Sequence, residues 1–112
     1  MTKYLLLYRS SVSAAEQMAN ASPEEGQAGM EAWMTWAGKA GSAIVDMGSP
    51  TSAAGTVGGS GASQGGDHIG GFSIMEAESL DALKGHLDGH PHLMMKGASI
   101  EIHEFLDLPG MG

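Results

Sequence analysis

The sequence predicts an α+β fold of the ferredoxin-like kind, βαββαβ, with a four-stranded antiparallel sheet and two helices on one face. Three observations carry that expectation. Lys3–Arg9, Ala43–Met47, Phe72–Ala77 and Ser99–Phe105 are short and rich in branched and aromatic residues, as strands are. Two stretches between them place apolar residues three and four apart, as helices do. The order along the chain is strand, helix, strand, strand, helix, strand, and 112 residues make a single domain spanning 1–112.

The first strand, KYLLLYR, is apolar on both faces, with Tyr4, Leu6 and Tyr8 pointing one way and Leu5 and Leu7 the other. Such a strand is covered on both sides. Residues 10–21 are small and polar, and Ser13 with Glu16 has capping-box spacing, which allows one or two helical turns. Ser22-Pro23-Glu24-Glu25 is a fuller start signal: a capping serine, proline at the first helical position and glutamate three residues after the cap. Met30, Trp33, Met34, Ala37 and Ala40 follow as an apolar stripe, and Gly41 is placed to end the helix. Gly26 and Gly29 weaken its first turns, by roughly 1 kcal/mol each relative to alanine.

In the second strand Asp46 falls on the side of Ile44, where it is either a turn former at the strand end or a functional carboxylate. From Gly48 to Gly71 the chain is a Gly/Ser-rich loop, which a short hairpin around Thr56-Val57 could interrupt. GTVGGSG in this loop lacks the lysine and the strand-loop-helix setting of a phosphate loop, so no nucleotide site is assigned. The third strand leads to Ser79, a helix cap, and then to Leu80, Leu83 and Leu87 on one face. Gly89 and Pro91 stop this helix. His90 and His92 therefore sit on a helix-to-strand turn, a natural place for a proton acceptor. In the last strand Ile100 and Ile102 face one way, Glu101, His103 and Phe105 the other.

Thirteen acidic against five basic residues give a formal net charge of -8, which repels phosphate backbones and anionic lipid, so neither nucleic acid nor membrane is an expected partner. There is no cysteine, hence no disulfide framework and no thiolate metal site. The apolar run Leu5–Leu7 is too short for a signal-peptide core or a membrane span, and the expected location is cytoplasmic. Nine methionines are many for this length and are expected to fill core gaps. No cofactor and no metal is assigned. His90 and His92 are two imidazoles one residue apart, and Met94 and Met95 could add soft ligands, but Pro91 limits their convergence. Two helices on one face leave the other face of the sheet bare and apolar at its centre. A homodimer that buries this face around a cleft for a small molecule is the expected assembly.

KYLLLYR, AWMTWAGKAGSAIVDMGSP, GGFSIMEAESLDAL and GASIEIHEF together cover most of the chain and resemble the YCII-related domain family, whose members include a group named after a DGPF motif. That motif is absent here. The resemblance implies a dimeric α/β barrel with a cleft beside the sheet. Some members carry a histidine in the first helix and an aspartate before a proline after the second, a pair proposed for acid-base work in isomerase- or lyase-type reactions on small organic acids and phenols. Here His90 precedes the proline, and counting back from Gly48 places the helical position near Glu31. The resemblance thus implies Glu31 and His90, with Asp46, as an acid-base set. The alternatives are a solvated Glu31 and a His90 that caps its helix. A non-catalytic binding or regulatory module is the competing function.

Overall fold

The computed structural model describes residues 1–58 and 68–108. The glycine- and serine-rich residues 59–67, Asp67 and the end of GTVGGSG among them, and the tail 109–112 lie outside the described residues. The elements are β1 (Thr2–Ser10), α1 (Ala14–Asn20), α2 (Pro23–Ala40), β2 (Ile44–Pro50), β3 (His68–Ala77), α3 (Leu80–Leu87) and β4 (Ser99–Glu104), with 3-10 turns at Gly41–Ala43 and Pro91–Met94. The strands form one antiparallel sheet in the order β2-β3-β1-β4, the ferredoxin-like arrangement that the element order predicts. α1 is a short addition ahead of the expected pair of helices.

Local chemistry sets the helix ends. Ser13 Oγ accepts from the Glu16 amide and opens α1. At α2 the capping box is complete: the Glu25 amide donates to Ser22 Oγ at 3.1 Å and the Ser22 amide donates to Glu25 Oε1 at 3.3 Å. Ser79 Oγ accepts from the Ala82 amide to open α3. Gly89, at φ +74°, turns the chain out of that helix in the left-handed region where glycine is favoured.

The core lies between the helices and one sheet face. Tyr4, Leu6 and Tyr8 of β1, Met75 and Ala77 of β3, Trp36 and Ala40 of α2, and Leu83 and Leu87 of α3 are buried together. Trp33, Ala37, Ile44, Ile100 and Ile102 pack around them. The Trp36 indole N–H donates to the His86 carbonyl at 2.9 Å and so ties α2 to α3. On the opposite face Leu5 and Leu7 pair with Ile74 and Phe72 and are only half-buried in the single chain. Arg9 pairs with the Glu101 carboxylate at 3.6 Å on this face, and His103 Nε2 makes a hydrogen bond to the same carboxylate.

Several sequence expectations change in three dimensions. Leu80 is exposed, because the buried face of α3 is set by Leu83 and Leu87. Met30 and Met34 are 66% and 61% exposed, so the buried stripe of α2 runs instead through Trp33, Trp36, Ala37 and Ala40. Among the described residues, 51–58 form no strand, so a hairpin around Thr56-Val57 has no arm there. β2 and β3 reach to Pro50 and back to His68 instead, and the Thr51 amide still donates to the Gly70 carbonyl at 2.9 Å. Of the methionines, Met75 is the fully buried core residue among those described.

Candidate functional site

Where β1, β2 and β3 end beside α1 and α2, the layers part around a cavity of about 540 Å³. Tyr8 and Ser10 come from β1, Met47 to Pro50 from β2, and Gly70 to Phe72 from β3. α2 supplies Gly26, Gly29, Met30, Trp33 and Met34, α1 adds Gln17 and Met18, and the turn after α3 adds Pro91, His92 and Met95. Irregular strand pairing shapes the rim. The β1–β3 register shifts between Tyr8 and Arg9, and the β2–β3 register shifts on both sides of Asp46. Gly48 is indispensable to that shape: its φ is +78°, and a Cβ there would meet the Phe72 carbonyl oxygen at 1.7 Å.

Most polar groups of the cavity are already engaged. The buried Tyr8 hydroxyl donates to Ser73 Oγ at 2.8 Å, and Ser73 Oγ donates to the Met47 carbonyl at 2.7 Å, so one chain of hydrogen bonds crosses β1, β3 and β2. Burial pushes the Tyr8 phenol above its ordinary pKa, and the bond to Ser73 offsets this in part. Ser10 Oγ donates to the Val12 carbonyl and accepts from Gln17 Nε2, which itself reaches Val12 O at 2.8 Å. Glu25 is held by the cap of α2.

His92 differs. Its Nε2 lies 2.9 Å from the Arg9 carbonyl and 3.0 Å from the Ser99 carbonyl. Two acceptors at one nitrogen require that nitrogen to carry the proton, so in the neutral ring Nδ1 keeps the lone pair. Among the described residues Nδ1 has no hydrogen-bond partner. The ring meets that of Tyr8 edge-on, centroids 5.2 Å apart.

The three residues expected to form an acid-base set are placed apart. His90 is 0% exposed, packed against Trp33 at 4.5 Å, Trp36 at 4.2 Å and Tyr8 at 5.2 Å between ring centroids, and is not part of the cavity wall. Its Nδ1 accepts from the His92 amide at 3.0 Å, so it caps the 3-10 turn that follows rather than the carbonyls of the helix before it. The neutral ring then carries its proton on Nε2, which is buried and has no hydrogen-bond partner among the described residues. Burial, with the nearby His92, lowers the His90 pKa from 6.5 to about 4. Glu31 is exposed on α2 and accepts from Gln27 Nε2 at 3.4 Å, one helical turn away. Asp46 is exposed, and its Oδ1 accepts from the Gly48 amide at 2.8 Å, which makes it the turn former at the irregular end of β2. Neither carboxylate lines the cavity.

His92 is the residue that sequence reasoning passed over in favour of His90. The available signal was the pair of histidines flanking Pro91 on a helix-to-strand turn. Among the described residues no group of three His, Asp or Glu side chains comes together as a metal cluster, and no helix is long and apolar enough to cross a membrane.

No protein-family model matches the chain, and no curated protein matches it by sequence. Among solved structures it is similar to the 5-chloro-2-hydroxyhydroquinone dehydrochlorinase of Burkholderia phenoliruptrix AC1100, in complex with 2,5-dihydroxybenzoquinone. The TM-score is 0.52 and the identity 20%, over 93% of this chain and 93% of that one. At that identity the two share a fold: a four-stranded antiparallel sheet with helices against it, kept over nearly the full length of both chains.

Proposed function

We propose that the chain acts on a small, largely apolar organic molecule held in this cavity, as a homodimer of the YCII-related kind, with His92 as the group that takes up a proton. The observation that carries the reading is the locked ring of His92. With Nε2–H shared between the Arg9 and Ser99 carbonyls, Nδ1 is a preset acceptor on a residue of a wall rich in thioethers, aromatic rings and glycines. Protonation at Nδ1 gives an imidazolium whose second N–H already faces two carbonyl oxygens, so the positive charge is stabilised without rearrangement. The edge of the Tyr8 ring beside it and the Trp33 ring suit a flat ligand. The fold neighbour's complex with a dihydroxybenzoquinone supports flat hydroxylated rings as the first class to test. In this reading His90 fixes the turn that presents His92, and Glu31 and Asp46 take no part.

The test is a turnover screen of small hydroxylated aromatics and lactones with the wild type and with His92→Ala and His92→Gln. Loss of a positioned general base lowers the rate by about 10²–10⁴-fold. Activity unchanged in both variants removes His92 from the chemistry. Saturable binding without turnover in the wild type favours a non-catalytic binding module instead.

A further inference from the structure

Five of the nine methionines, Met18, Met30, Met34, Met47 and Met95, stand around one cavity together with His92. We propose that this wall is a binding site for a soft monovalent cation, Cu(I) or its redox-inert analogue Ag(I), with thioether sulfurs and His92 Nδ1 as the donors. The inference goes beyond the proton-transfer reading and stands without it.

The donor set selects the ion. Thioether and neutral imidazole are soft or borderline ligands that carry no charge, which suits a polarisable monovalent ion and leaves a hard divalent ion without the carboxylates it needs. Among the described residues no cluster of three His, Asp or Glu groups offers such an alternative. A single carboxylate, Glu25, lines the cavity among the described residues, and its Oε1 accepts from the Ser22 amide, so the wall lacks the several carboxylates that hold a hard divalent ion.

The placement allows convergence. Met30 and Met34 are one turn apart on α2 and share its exposed face towards the cavity. Met95 follows His92 by three residues, so the tight turn Pro91–Met94 carries an imidazole and a thioether to the same wall. Met18 and Met47 approach from α1 and β2. Each methionine has three rotatable bonds, so its sulfur can reach inward with little backbone movement. Their exposure, 66% for Met18 and Met30, 61% for Met34 and 39% for Met47, is high for residues whose usual task is filling a core, and it leaves the sulfurs within reach of an ion from solution. The ring of Trp33 in the same wall adds a face that attracts a cation.

The experiment is an Ag(I) titration in chloride-free buffer of protein carrying 13C-methyl methionine, followed by two-dimensional NMR, repeated with Cu(I) under anaerobic conditions. One equivalent is expected to shift the methyl signals of the cavity methionines while those of Met75, buried in the core, and Met94, 83% exposed outside the cavity, stay in place. The double variant Met30→Leu with Met34→Leu conserves volume and should bind at least tenfold more weakly. The proposal is overturned by an absence of saturable binding, by Met94 shifting in step with the cavity methionines, or by full affinity in a folded double variant. Should that variant fail to fold, the methyl map of the wild type decides alone. Neither substitution touches His92, so the outcome is independent of the turnover screen.

Discussion

His90 shows how a single ring can be both structural and sensitive to acid. The folded protein holds it neutral, with a pKa of about 4, whereas the unfolded chain binds the proton near 6.5. The unfolded state therefore carries the extra proton between these values, and stability falls as the pH is lowered from about 6.5 to about 4. The loss from this one group is about 3 kcal/mol on the scale of the shift. Denaturant titrations at pH 7.5, 5.5 and 4.5, followed by the fluorescence of Trp33 and Trp36 beside the ring, should show this slope. His90→Phe should flatten it while lowering stability at pH 7.5 by about 1–3 kcal/mol, because the His92 amide loses its acceptor. The fate of this residue was not legible from its neighbours in the sequence. A histidine before a proline after a helix fits a cap and a catalytic base equally well, and only the two tryptophans of α2, more than fifty residues away, make it part of the core.

At the level of elements, what is local is legible and what is assembled from distant segments is not. Both caps of α1 and α2, the order of the elements along the chain and the alternation along β1 follow from short-range chemistry, and the structure has them. The apolar period of α2 marks a helix but does not distinguish a residue facing the core from one facing a cavity, which is why Met30 and Met34 read as core. Two predictions belong to this scale. Ser73→Ala strips the acceptor from the buried Tyr8 hydroxyl and the donor from the Met47 carbonyl. It should cost about 1–3 kcal/mol in thermal or denaturant unfolding, more than Tyr8→Phe, which leaves the Ser73 bond to Met47 intact. Gly48→Ala should destabilise by about 2–4 kcal/mol, since both its φ and the Phe72 carbonyl oppose a side chain. Heat denaturation compared with Ser49→Ala, an exposed neighbour, checks it.

For the whole molecule the question is what covers the second face of the sheet. Leu5, Leu7, Phe72 and Ile74 lie side by side there, each only half-buried among the described residues. Sedimentation at micromolar concentration is expected to give a dimer, and Ile74→Lys to give a monomer, because a buried lysine in an apolar seam is strongly disfavoured. A monomer in the wild type would remove the dimer from the proposed function and leave the cavity, which is built within one chain, in place.

Gly26 and Gly29 have room for a methyl group, with no atom within 4 Å of where a Cβ would stand, yet both sit where a helix would gain from alanine. They also form part of the cavity wall. Substituting both by alanine should therefore yield a tougher protein with a narrower cavity: a higher melting temperature, together with weaker binding of the bulkiest ligands found in the turnover screen. The chain keeps its weakest helical turns in the wall of its cavity.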